Sequence, residues 1–153
     1  MERVARADLE VFAKRVLARV AGDSLNKKDG ATIIALEGDL GAGKTTFTQA
    51  LARVLGIEEA VQSPTYVLMR SYELKNCPFA TLVHIDAYRL ESSDEFRALL
   101  PRQAGKPNFL HDPKTLVLVE WPERLAGVLP PPDLTLRFSS EGASAAERYI
   151  EVI

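Results

Sequence analysis

Two kinds of residue in this chain are spaced for chemistry on phosphates. The first is a glycine-rich run closed by a lysine and a threonine, Gly38-Asp39-Leu40-Gly41-Ala42-Gly43-Lys44-Thr45, with Thr46 behind it. It reads G-x-x-x-x-G-K-[ST], and it lies between an apolar run and a helical pattern, as that motif requires. Loop amides in such a turn point inward and form a concave anion site, and the following helix adds its positive end. Glycines are needed because a side chain would force unfavourable dihedrals or block the phosphates. Asp39 to Thr46 therefore form a candidate cradle for a nucleoside triphosphate. Lys44 would reach the terminal phosphates, and the Thr45 hydroxyl would ligate Mg²⁺. The second kind is a carboxylate just past an apolar strand, and it occurs twice, at Asp86 and Glu120.

Asp86 ends the stretch Ala80 to Ile85 and opens Asp86-Ala87-Tyr88-Arg89-Leu90. Ligands of α/β sheets gather at such strand ends. Asp86 could order a Mg²⁺-bound water, orient an attacking water, or simply cap the next turn. His84 reads as a strand residue with its ring on one sheet face rather than as a catalyst. Thr115-Leu116-Val117-Leu118-Val119-Glu120 has four apolar residues running into an acid, which suits a central strand of the Walker B kind. Glu120 would hold Mg²⁺ or its water opposite Thr45. Trp121 is either a core anchor or an aromatic wall beside the nucleotide. Lys44, Asp86 and Glu120 are the candidate catalytic residues, and Thr45 and Glu120 the candidate metal ligands.

The elements that must position these groups follow from periodicity. Leu9, Phe12, Ala13, Val16, Leu17 and Val20 recur at helical spacing after Asp8, a candidate N-cap, and Gly22 reads as the stop. Ala31 to Leu36 is a buried strand leading into the glycine loop. Phe47, Ala50, Leu51, Val54 and Leu55 share one face of the next helix, which Gly56 ends. Tyr66 to Leu74 and Ala80 to Ile85 are strands joined by the turn Asn76-Cys77-Pro78, hence an antiparallel hairpin. Ser92-Ser93-Asp94-Glu95 reads as a capping box for a short helix. Arg102 to Lys114 is a loop, with His111 at the surface. Pro122 opens a short helix through Leu129, and Leu134 to Phe138 and Tyr149 to Ile153 are closing strands. The fold class is α/β: a single P-loop NTPase-like domain over residues 1–153, its mixed, mostly parallel sheet flanked by helices.

Two local readings stay open or are set aside. Ser63-Pro64-Thr65 is either a turn with capping hydroxyls or a switch segment in which Thr65 helps order Mg²⁺. Asn26-Lys27-Lys28-Asp29 spells the guanine-reading N-K-x-D, but no strand precedes it, and the chain holds no D-x-x-G. It reads as a polar loop, which favours adenine over guanine.

Composition narrows the class. The chain has 153 residues, 46% hydrophobic and 26% charged, enough for one domain with a real core. A net charge of −2 gives no electrostatic case for non-specific nucleic-acid binding. One cysteine, Cys77, forms no internal disulfide and suits a reducing cytosol. No apolar run reaches membrane-spanning length, so the expectation is a soluble, cytoplasmic protein.

Taken together, GDLGAGKTTFT, SPTY, HIDAYRL and LVEWPERL resemble, in order and spacing, the TsaE family of bacterial P-loop ATPases. The likeness spans about Ala31 to Leu129. It implies a protein that binds and hydrolyses ATP with Mg²⁺ and serves threonylcarbamoyl modification of the adenosine beside the anticodon in tRNAs that read ANN codons. It implies TsaD and TsaB, the transferase heterodimer, as partners, with tRNA met only through that complex. Under the resemblance Lys44 and Thr45 are the phosphate and Mg²⁺ contacts, Glu120 the second Mg²⁺-site acid, Asp86 the acid of H-x-D-x-Y-R-L, and Trp121 the aromatic residue near the nucleotide. Thr65 falls in the switch-like loop. The family's Gly-Arg pair before the last strand is replaced here by Ala145-Ala146-Glu147-Arg148, so no C-terminal nucleotide contact is carried over. Two rival functions share the loop: a small-molecule kinase, and a nucleotide-gated binding module with incidental hydrolysis.

Overall fold

The computed structural model describes residues 1–24, 29–59, 61, 68–100 and 108–153. In chain order these form β1 (Glu2–Ala5), a 3-10 turn at Arg6–Asp8, α1 (Leu9–Ser24), β2 (Thr32–Glu37), α2 (Lys44–Val54), β3 (Met69–Glu73), β4 (Thr81–Asp86) and α3 (Ser93–Leu99). A second 3-10 turn at Phe109–His111, β5 (Thr115–Glu120), a third at Pro122–Leu125, β6 (Leu134–Ser139) and β7 (Glu147–Val152) complete them.

The strands form one mixed sheet in the order β1-β7-β6-β2-β5-β4-β3. Its centre, β6-β2-β5-β4, is parallel. Antiparallel pairs close both sides: the expected β3–β4 hairpin on one, and β6–β7–β1 on the other. Central strands buried on both faces need continuous apolar runs, and TIIALE in β2 and TLVLVE in β5 supply them. Alternation within each strand then divides the core. Ile34, Leu36, Leu82, Leu116 and Leu118 pack with α1 and α2, while Ile33, Ala35, Val83, Ile85, Val117 and Val119 pack with Phe96 of α3 and Leu125. Phe47 fixes α2 in place: its ring lies 5.9 Å from that of Phe12 on α1 and 5.7 Å from that of Phe138 on β6.

Several boundaries differ from the sequence reading. α1 runs through Gly22 to Ser24, since an exposed glycine near a helix end weakens the helix without stopping it. α3 begins where expected, but the exposed Ser92 makes no capping hydrogen bond, leaving the first amides to solvent. The helix expected through Leu129 is only a 3-10 turn, because Gly127 adopts φ +80° and three prolines follow. β1 was not expected at all. It has four residues and one buried side chain, Val4, and it forms because the edge of β7 is there to pair with. The Asn26 to Lys28 part of the N-K-x-D stretch, the start of the strand expected from Tyr66, and residues 102–107 lie outside the described residues. Among the described residues no helix is long and apolar enough to cross a membrane.

Candidate functional site

β2, β5 and β4 are parallel neighbours, so their C-terminal ends share one edge of the sheet. Glu120 at the end of β5 stands in register with Leu36 of β2 on one side and Asp86 of β4 on the other. The glycine loop leaves β2 at this same edge. Gly38, Gly41 and Gly43 adopt φ +134°, +77° and +105°. At Gly38 the need for glycine is absolute, because a Cβ would run into the backbone carbonyl of Phe138. Gly43 is the left-handed N-cap of α2, and a Cβ there would press on the Arg148 side chain at 3.3 Å. The turn thus brings the start of α2 against β5 and β6.

Lys44 is only 4% exposed. Its ammonium donates to the carbonyls of Gly38 at 2.5 Å and Asp39 at 2.8 Å, and it lies 4.2 Å from the centre of the Trp121 ring. Burial pushes its pKa below the usual lysine value of 10.5, against the opposing pull of Glu120, Asp86, Glu123 and Asp39. Trp121 reaches this position from a left-handed backbone conformation, φ +62° and ψ +53°, an uncommon state for a bulky residue. Its ring also stacks at a tilt on Tyr88, with centroids 4.9 Å apart.

The Thr45 hydroxyl donates toward the Glu120 carboxylate, 3.2 Å from Oε2 and 3.4 Å from Oε1. Thr48, one turn on, lies 3.4 Å from Oε1, and His84 Nε2 lies 3.0 Å from the same oxygen. Glu120 is 2% exposed, so these groups replace the water its carboxylate would otherwise hold. Asp86 is half-buried, and its Oδ1 accepts from the Tyr88 amide at 3.0 Å. The turn-capping reading of Asp86 is therefore correct as geometry, and the same residue also faces the site.

These groups line a cavity of about 480 Å³. Of the sequence candidates, Leu40, Gly41, Gly43, Lys44, Thr45, Thr46, Asp86, Glu120 and Trp121 lie on its wall. Asp39 and Ala42 do not: the Asp39 carbonyl is turned inward to Lys44 and to the Ala42 amide, and Ala42 is buried in the α1–α2 side of the core. They shape the loop from behind. Thr65 lies outside the described residues.

The cavity also holds residues that were not among the site candidates. Val4, Arg6, Leu9 and Phe138 line one end, and Ala145 to Arg148 close it. The N-terminus and the β6–β7 turn reach the cavity because β1, β7 and β6 are adjacent in the sheet, an order no local signal could reveal. Arg148 Nη1 donates to the carbonyl of Glu147 at 2.5 Å, while its buried Nε, beside Gly43, finds no partner among the described residues. His84, read only as a strand residue, lies behind the cavity wall, fully buried against Glu120.

The donor set fits an anion bound with a hard cation. An ammonium and an orphaned guanidinium N–H flank a loop of left-handed glycines, which suits phosphate oxygens. The facing groups, one hydroxyl and two carboxylates, are oxygen donors of the kind Mg²⁺ takes together with phosphate. The volume is that of a small-molecule site.

A parallel-centred sheet with a strand, glycine loop and helix at its middle defines an α/β protein of the P-loop NTPase-like fold. A family model described as threonylcarbamoyl adenosine biosynthesis protein TsaE matches residues 7–150. The chain belongs to the TsaE family. Proteins named tRNA threonylcarbamoyladenosine biosynthesis protein TsaE are similar to it: that of Synechocystis is 44% identical over 94 residues, covering 61% of this chain and 56% of the relative. That of Bacillus subtilis is 36% identical over 115 residues, covering 75% and 66%. That of Treponema pallidum is 36% identical over 105 residues, covering 69% and 70%. The matched stretch is thus under two thirds of the length of the first two relatives. The crystal structure of Bacillus subtilis YdiB superposes with a TM-score of 0.59 at 27% identity, covering 97% of this chain and 80% of that one.

Proposed function

We propose that this chain binds ATP with Mg²⁺ in the cavity, hydrolyses it, and by doing so serves the TsaD–TsaB transferase in threonylcarbamoyladenosine modification of tRNA. One observation carries the reading. Thr45 and Glu120, 75 residues apart, stand 3.2 Å from each other at the mouth of the glycine loop, beside the buried Lys44.

The roles follow from the geometry. The loop amides, Lys44 and Arg148 would hold the phosphates, and Val4, Leu9 and Phe138 would border the base. Thr45 and Glu120 would hold Mg²⁺, which when bound offsets charge on the oxygen that bridges the last two phosphates. Glu120 is already engaged by Thr45 and His84, which supports taking it as the metal-side acid. Asp86, half-buried at the same sheet edge, would then orient the attacking water. Water then attacks the terminal phosphorus, the bond to the bridging oxygen breaks, and ADP and phosphate are released.

The test is tRNA modification reconstituted with TsaD and TsaB. Glu120→Ala is expected to abolish modification, and Asp86→Asn to slow ATP hydrolysis while leaving ATP binding near the wild-type level. Full modification by Glu120→Ala would contradict the reading and favour a binding module whose hydrolysis is incidental.

A further inference from the structure

We infer that His84 is the positioning residue for Glu120, holding its carboxylate so that Oε2 is presented to Thr45 and to the cation. The inference rests on the proposed metal role of Glu120. On β4 the side chains alternate, and Leu82, His84 and Asp86 share the face toward α2. In that layer His84 stands in register between Leu118 of β5 and Arg70 of β3. It is fully buried, at 0% exposure. The imidazole leaves Nδ1 buried without a hydrogen-bond partner among the described residues, which counts against folding.

What the ring gains is its contact with Glu120. Nε2 lies 3.0 Å from Oε1. A carboxylate only accepts, so Nε2 carries the proton of this bond. His84 engages Oε1, while the Thr48 hydroxyl near it has its shorter bond, 3.1 Å, to the Lys44 carbonyl, and Oε2 is the oxygen nearer Thr45. The terminal torsion of a glutamate is broad, so no intrinsic preference holds this orientation. Groups behind metal ligands that fix their orientation are typically worth about 10–100-fold in metal affinity or activity.

The experiment titrates Mg²⁺ into the chain saturated with a non-hydrolysable β,γ-imido ATP analogue, and also measures analogue affinity without metal. Trp121 fluorescence reports both. His84→Leu is expected to weaken Mg²⁺ by about 10–100-fold and to leave metal-free analogue affinity within about twofold. His84→Gln, whose amide nitrogen falls near the position of Nε2, is expected to recover most of the loss. If His84→Leu does not fold by thermal melting, His84→Asn, with an amide too short to reach Glu120, takes its place. Equal Mg²⁺ affinity in wild type and His84→Leu (or its Asn substitute) would overturn the inference. So would equal losses with and without metal, or no recovery by Gln. A wild-type chain with no Mg²⁺ dependence would overturn the metal reading of Glu120 as well, whereas a metal-dependent wild type with an indifferent variant overturns the role of His84 alone.

Discussion

Lys44 is a charge held where charge is unwelcome. Burial lowers its pKa below 10.5 although four carboxylates pull the other way. The unfolded chain therefore holds this proton more tightly than the folded one. Stability of the ligand-free protein should rise with pH across the interval between the lowered pKa and 10.5, and below that interval the full cost of burying the ammonium is present. Lys44→Met removes the titration. Denaturant unfolding of both proteins at a series of alkaline pH values should show wild type gaining on the variant as pH rises; a constant gap would contradict the account. At this scale the sequence was informative where a residue's role is set by its near neighbours. Gly43-Lys44-Thr45 and the strand-end acids were recognisable for that reason. His84 and Arg148 were not, because their meaning comes from Glu120 and Gly43, 36 and 105 positions away along the chain.

The strand, loop and helix around Lys44 act as one element, and its strain is testable against an unstrained glycine in α1. Gly38 combines φ +134° with a blocked Cβ position against Phe138. Gly38→Ala should cost about 2 kcal/mol or more in stability, since both backbone strain and a steric clash are introduced. Gly22 lies in α1 with nothing within 4 Å of a Cβ. Gly22→Ala should instead stabilise by about 0.5 kcal/mol. Urea midpoints of the two variants should move in opposite directions, and a shared direction would contradict the assignment. The same contrast explains what was misread. Glycine signals both a stop and a turn, and only the surroundings decide; Gly22 was taken as a stop, whereas Gly127 broke a helix expected to pass through it. Strands β2, β5 and the β3–β4 hairpin were legible because continuous apolar runs and a tight turn are local properties. β1 was not, since ERVA has no pattern of its own and depends on the open edge of β7.

For the whole molecule the strand order is decisive. With β2 between β6 and β5, residues from the N-terminus, the glycine loop, β4, β5 and the β6–β7 turn all reach one edge of the sheet. The loop, lysine and acids line the cavity at one end, and Val4, Leu9 and Phe138 give it an apolar wall at the other, beside Arg6 and Arg148. Hydrolysis by the chain alone is expected to be slow, because a complete charge clamp on the terminal phosphate often requires an arginine from a partner, an effect of about 10³–10⁵ in rate. Steady-state ATP turnover should therefore rise when TsaD and TsaB are added together, and unchanged turnover would argue against a partner-completed site.

The central claim is that the loop and its buried lysine hold the phosphates of ATP. Calorimetric titration of ATP with Mg²⁺ into wild type and Lys44→Ala tests it most directly. One ATP per chain should bind wild type, with affinity about 10–100-fold lower in the variant, the loss of one charged hydrogen-bonding group, and with the variant still folded. Equal affinity in the two proteins, or no binding to wild type, would contradict it.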